Sequence, residues 1–145
     1  MKSFLRVVLM VTVGTLMVSA AEPPDGKHQV SPEELVKQLS VKAPLILNVG
    51  PRTLYDQAHI RGAEYMGAGS SEEGRAKLAA RVKALPKNTA IVLYCGCCPW
   101  EHCPNVDPAL GMLVKMGFSN VKVLYIAHNI GTDWVDQGYP VERGK

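Results

Sequence analysis

Apolar and polar positions along this chain fall into blocks with the lengths of strands and helices. Ser31-Pro32-Glu33-Glu34 opens the first predicted helix: Ser31 caps it, Pro32 suits the first helical position and Glu34 completes a capping box. Leu35, Val36 and Leu39 form its apolar face. After Pro44, the run Leu45 to Val49 has the length of a buried strand. Pro51 to Gln57 suits one or two helical turns, Ala63 to Met66 a short strand, and Gly67 to Ser70 a break. Ser70 with Glu73 is a second capping signature, and Ala76, Leu78, Ala79, Val82 and Leu85 then recur at helical spacing up to Pro86. Ala90 to Tyr94 is strongly β-prone and ends at Cys95. Asp107-Pro108 starts a helix that reaches Met116 and stops at Gly117. Val121 to Ile126 is the next strand, and residues 129–137 form a last helix ended by Gly138.

Strands alternating with helices imply an α/β fold: a mainly parallel central sheet with helices on both faces. Ligands of such sheets bind beyond the carboxyl ends of the strands. Cys95 stands at one of those ends, followed by a loop and a helix. A loop feeding a helix amino-terminus presents backbone N–H groups to an anion. A thiolate held there is stabilised, so the expectation is a lowered pKa at Cys95 and a nucleophilic or metal-binding sulfur.

The amino-terminal segment has a different pattern. Lys2 and Arg6 precede an apolar run from Val7 to Met17, and Val18-Ser19-Ala20 supplies small residues before Ala21-Glu22-Pro23-Pro24. That order is a signal peptide over residues 1–20, cleaved after Ala20 or Ala21, with 21–30 as a linker and 31–142 as the folded domain. The run is short against the about 20 apolar residues of a membrane span. An uncleaved anchor is the alternative, and both readings export the domain, most simply to a bacterial periplasm. Cleavage leaves no stable membrane association.

The 145 residues suit one domain, and 47% hydrophobic with 20% charged residues is enough to bury a core. The formal charge of +3 includes Lys2 and Arg6; without them 14 basic residues face 13 acidic ones. That balance carries no footprint for nucleic acid.

The stretches LILNV, YDQAHIRGA, IVLYC, LVKMGFSNVKVL and WVDQGYPV follow one another in an order that resembles the rhodanese family. Leu45 to Val49 (LILNV) is similar to its first core strand, Tyr55 to Ala63 (YDQAHIRGA) to its Gly-His-Ile-Pro-Gly-Ala signature, and Ile91 to Cys95 (IVLYC) to the strand that delivers its active cysteine. Leu113 to Leu124 (LVKMGFSNVKVL) and Trp134 to Val141 (WVDQGYPV) resemble its later segments. The resemblance implies a rhodanese-like three-layer domain. It also implies a sulfurtransferase that moves sulfane sulfur from thiosulfate or a persulfide to a thiol or cyanide, through a persulfide on Cys95. Its partners are then a small-molecule sulfur donor and a thiol acceptor, and no cofactor is required. The chain departs from the family at Asn48, where Asp is usual, at Ala58 and Arg61, and at Asn129-Ile130, where a Gly pair is common. It also carries a longer loop after Cys95 with no Lys or Arg before Lys115. The missing arginine argues against the phosphatase branch of the fold, which clamps phosphate in a bidentate way.

The loop reads Cys95-Gly96-Cys97-Cys98-Pro99-Trp100-Glu101-His102-Cys103 and holds all four cysteines of the chain. Cysteines that staple a fold close long loops, so this cluster serves local chemistry. Cys98 or Cys103 is the candidate to resolve a persulfide by forming a disulfide. The competing reading is a thiol redox or thiophilic metal site, with Cys97, Cys98, His102 and Cys103 as candidate ligands. A rhodanese-fold module without catalysis is the third. Arg52, just after the first strand, is the candidate for the missing cation, and Trp100 for lining or shielding the pocket. His59 reads as structural, Trp134 as core, and His128 as a residue near a strand end that faces either the site or solvent.

Overall fold

The structure, a computed structural model, describes residues 26–144. Residues 1–20, expected to be an export signal, and residues 21–25 of the expected linker lie outside the described residues. Among the described residues no helix is long and apolar enough to cross a membrane.

In chain order the elements are β1 (Gln29–Val30), α1 (Pro32–Val41), β2 (Leu45–Asn48), α2 (Arg52–Gln57), β3 (His59–Ile60), β4 (Glu64–Tyr65), α3 (Glu72–Val82), β5 (Ile91–Tyr94), α4 (Val106–Lys115), β6 (Val121–Leu124) and β7 (Val141–Glu142). Five strands form one parallel sheet in the order β1-β6-β5-β2-β4. β5 is its centre, paired with β2 from Leu45↔Ile91 to Asn48↔Tyr94. β3 and β7 form a separate antiparallel pair that ties the end of the chain to the segment after α2.

The two-residue period of β5 sorts its side chains between two cores. Val92 and Tyr94 pack with Leu35, Tyr55 and Trp134 on the face covered by α1 and α2. Ile91, Leu93 and Cys95 pack with Leu78, Val106 and Leu113 on the face covered by α3 and α4. The result is the three-layer α/β architecture expected from the sequence. It also places Cys95 in register with a fully buried row, so its side chain starts inside the second core.

Local chemistry explains the element ends. Ser31 Oγ accepts from the backbone N–H of Glu34 at 3.2 Å, a cap worth about 1 kcal/mol. α3 is capped by Ser71, whose Oγ accepts from Gly74 N at 3.0 Å, and not by Ser70. Ser70 is diverted because it bonds to Asn105 instead. α4 starts at Val106, one residue before the predicted Asp107. The last predicted helix is a single π-helical turn, Gly131–Val135, around the buried Trp134, whose indole N–H donates to Pro140 O at 2.9 Å.

Three short strands have no signal in the pattern. β1 lies inside the stretch read as a linker, and its register with Val123 and Leu124 makes the end of that stretch part of the sheet. β3 and β7 are two residues each, too short for alternation to show.

Candidate active site

The site is assembled where β2 and β5 end side by side. Asn48, the last residue of β2, is buried; its Nδ2 donates to Cys95 O at 3.4 Å and its Oδ1 accepts from Gly50 N at 3.0 Å. An aspartate, the usual family residue here, lacks the donor for Cys95 O. The turn after β2 then passes so close to Cys95 that a Cβ on Gly50 would lie 2.4 Å from Cys95 O and 3.1 Å from its Sγ. Only glycine fits that approach. Gly96 turns the chain out of β5 with φ +81°, and its carbonyl accepts from Ile130 N at 3.0 Å.

The loop folds back on itself so that sulfurs meet. Cys95 Sγ lies 3.1 Å from Cys97 Sγ, and Cys97 Sγ lies 3.0 Å from Cys98 Sγ. The sulfurs of Cys95, Cys97 and Cys103 all lie within 4.8 Å of one another. All four cysteines are free thiols. Cys95 and Cys103 are buried, and Cys97 and Cys98 are half-buried.

Asn105, buried before α4, holds the far side of the cluster. Its Oδ1 accepts from Ser70 N at 3.1 Å and Ser70 Oγ at 2.8 Å, which orients its Nδ2 to donate to Cys95 Sγ at 3.3 Å. Asn105 carries only a faint signal in the sequence, a polar residue directly before an apolar helix start.

The charge in this cluster does not sit where the sequence suggests. Cys95 was expected to be the low-pKa sulfur. Its pKa is instead pushed up, first because it donates to Cys103 and then because it is buried. Cys103 is brought down to about 6, by the hydrogen bond from Cys95 and then by the backbone N–H groups of Asn105 and Val106. The reason is loop length. α4 begins at Val106, so its first N–H groups reach the cysteine three residues upstream rather than Cys95. Burial pushes Cys98 up to about 12, with its bond to Cys97 next.

A cleft of about 360 Å³ opens beside the cluster, lined by Gly96, Cys97, Gln57, Asn129, Ile130 and Arg143 among others. Cys95, 4% exposed, stands behind Cys97 rather than in the cleft. The cation at the rim is Arg143, held by a bond from its Nη1 to Gln57 O at 3.0 Å. Arg52, the candidate from sequence, is committed elsewhere: Nε pairs with Asp56 at 2.8 Å and the guanidinium lies over Tyr65. Arg143 was not foreseen because β7, which delivers it, has no pattern signal.

The remaining loop residues divide simply. Trp100 is buried in the α3–α4 core, with its backbone N–H donating to Ile126 O at 2.9 Å and its indole N–H unpartnered, so it shields the cluster rather than lining the cleft. Pro99 precedes a 3₁₀ turn over Trp100–His102 that redirects the chain toward α4, and Glu101 and His102 are exposed on it. His102 and Cys98, both candidate ligands from the sequence, therefore fall outside the mutual sulfur group, which consists of Cys95, Cys97 and Cys103. His59 is buried, stacked on Tyr55 at 3.8 Å with its Nδ1 2.8 Å from Tyr55 O, a structural role as expected. His128 is an exposed partner of Asp133.

Comparison with known proteins agrees with this architecture. No curated protein matches the chain. Among solved structures it is similar to the rhodanese-like domain of an Anabaena protein, at 25% identity and TM-score 0.58 over 80% of this chain and 79% of that one. It shares its fold with a Bacillus halodurans protein, at 21% identity and TM-score 0.61 over 81% and 77%. It shares it also with EanB, solved with a cysteine persulfide and ergothioneine, at 24% identity and TM-score 0.61 over 79% of this chain and 28% of that one. The model of the rhodanese-like domain matches residues 31–125, so the segment that supplies Ile130 and Arg143 lies beyond the match. With a matched span from the first helix cap through β6, this chain belongs to the rhodanese-like domain family.

Proposed function

We propose that this domain is a sulfurtransferase that carries sulfane sulfur as a persulfide on Cys95, with Cys97 as the entry point. The observation that carries the proposal is the 3.1 Å approach of Cys95 Sγ to Cys97 Sγ, one sulfur behind the other at the wall of a cleft. A donor in the cleft, thiosulfate or a persulfide, meets Cys97 first. The Cys97 thiolate attacks the outer sulfur, the donor's S–S bond breaks, and sulfite or a thiolate leaves. Cys95 then attacks the outer sulfur of the Cys97 persulfide while its proton passes to Cys103, and Cys97 leaves as thiolate. No net oxidation occurs, because each S–S bond formed matches one broken. The amide of Asn105 remains to hold the inner sulfur, and a thiol or cyanide acceptor completes the cycle by attacking the outer one. Cys103 or Cys98 can resolve a stalled persulfide by forming a disulfide and releasing hydrosulfide. The export signal expected at residues 1–20 would put this activity in the periplasm, or on an uncleaved anchor facing it.

The test is cyanolysis. Sulfur-loaded protein should release thiocyanate, Cys95→Ser should release none, and Cys97→Ser should load slowly from thiosulfate. Equal release from Cys95→Ser overturns the proposal. Absence of any loading in the native protein would leave the domain as a module without this catalysis.

A further inference from the structure

We propose that the sulfurs of Cys95, Cys97 and Cys103 form a three-coordinate site for a soft monovalent d¹⁰ cation, Cu(I). The inference is separate from sulfur transfer, since it needs the geometry of the cluster and not the reactivity of any one thiol.

The geometry is specific to a low coordination number. Metal–thiolate bonds of about 2.3 Å in a trigonal plane put the sulfurs about 4 Å apart. These three lie within 4.8 Å of one another without any backbone change. Among the described residues no fourth donor joins the group. His102 is exposed on the 3₁₀ turn, and Cys98, although 3.0 Å from Cys97 Sγ, is not within the mutual group. Zinc seeks four ligands in a tetrahedron, and adjacent cysteines chelate one ion poorly, so the set is one ligand short for Zn(II). Soft thiolates bind Cu(I) as well as Zn(II), and the coordination number of three favours Cu(I).

The surroundings suit the product. Binding releases the thiol protons to solvent and leaves a buried anionic thiolate complex. N–H groups already point at it: the Asn105 amide at Cys95 Sγ, 3.3 Å away, and the backbone of Asn105 and Val106 at Cys103. Trp100 and Phe118 close the apolar wall of the same core, which keeps water from a bound ion. Cys97, half-buried at the cleft, gives a route by which a thiol ligand in solution can hand the ion in. Cys98, next to it and outside the trigonal set, is placed for such an exchange.

The experiment is anaerobic titration of the fully reduced native chain with Cu(I) against a chromophoric Cu(I) chelator, followed by X-ray absorption. One Cu(I) should be withheld from the chelator, with three sulfur scatterers at about 2.3 Å and no nitrogen. Cys97→Ser and Cys103→Ser should each lower affinity at least about 100-fold, since losing even an outer partner of a ligand can cost 10–100-fold. Cys98→Ser and His102→Ala should leave stoichiometry and coordination unchanged. Circular dichroism of each variant separates lost folding from lost ligation, and if Cys103→Ser unfolds, Cys97→Ser at the cleft still decides. Full retention of Cu(I) by Cys97→Ser, a nitrogen scatterer that vanishes in His102→Ala, or tighter competition by Zn(II) would each overturn the site. Cyanolysis is read separately on metal-free protein, so failure of one proposal is distinguishable from failure of the other.

Discussion

Asn105 reaches across to Cys95: its Nδ2 donates to Sγ at 3.3 Å while Ser70 holds its Oδ1 with two hydrogen bonds. The amide is oriented by one neighbour and used on the other. It thereby couples the break before α3 to the sulfur at the end of β5.

Asn105→Ala should separate these roles. It removes the donor to Cys95 and leaves the Ser70 N–H short of a partner. Unfolding should be easier by about 1–3 kcal/mol, the cost of a buried polar group left unpaired. Asn105→Asp keeps an acceptor for Ser70 but turns a carboxylate oxygen toward the sulfur. Its sulfur-loading rate should fall about 10–100-fold, as expected for a lost hydrogen bond to a developing charge. Denaturant melts and loading rates on both variants check this; native loading in Asn105→Asp would rule out the amide as a positioning group.

Gly50→Ala should damage the site through packing alone. The added Cβ would sit 2.4 Å from Cys95 O, a backbone atom directly after the central strand β5. Overpacking of this kind costs about 1–3 kcal/mol or more. A thermal melt should show a Tm several degrees lower, and an unchanged Tm would mean the turn relaxes away from Cys95.

Arg143→Gln should weaken the use of anionic donors. Arg143 is an exposed cation at the rim of the cleft, so its contribution is limited by solvent screening. KM for thiosulfate should rise up to about fivefold at low salt, the equivalent of about 1 kcal/mol, and kcat should hold. The difference should shrink at high ionic strength. Equal KM for native and variant protein at low salt would remove Arg143 from substrate capture.

Asn48→Asp restores the usual family residue and should nevertheless destabilise this chain. The carboxylate can still accept from Gly50 N, but it faces Cys95 O with no proton to offer and is buried. A loss of about 1–3 kcal/mol is expected from a buried acceptor set against an acceptor. Chemical denaturation measures it, and native stability would show that the 3.4 Å contact contributes nothing.

Most of the frame was legible beforehand because its signals are local. Ser31 caps α1 through the residue three positions on, and the runs Leu45 to Val49 and Ala90 to Tyr94 are apolar enough to be read as buried strands. The fragments of motif in order were enough to indicate the family, and the position of Cys95 at a strand end followed from them. Shifts of one residue, as at Ser71 and Val106, came from a partner far along the chain: Asn105 draws Ser70 away from the helix start.

By itself, then, the chain determined its alternation of strands and helices, the identity of the cysteine loop and the place of Cys95 at the end of the central strand. Only the tertiary structure decided which sulfur carries charge, which cation stands at the cleft and which three sulfurs meet. Periodicity and capping act over a few residues, and they fix elements. The Cys103 environment, the Arg143 position and the Asn105 clamp depend on where α4 starts, on the β3–β7 pairing and on the packing of α3 against α4. Those contacts join residues that sequence spacing leaves unrelated, and only the packed chain brings them together.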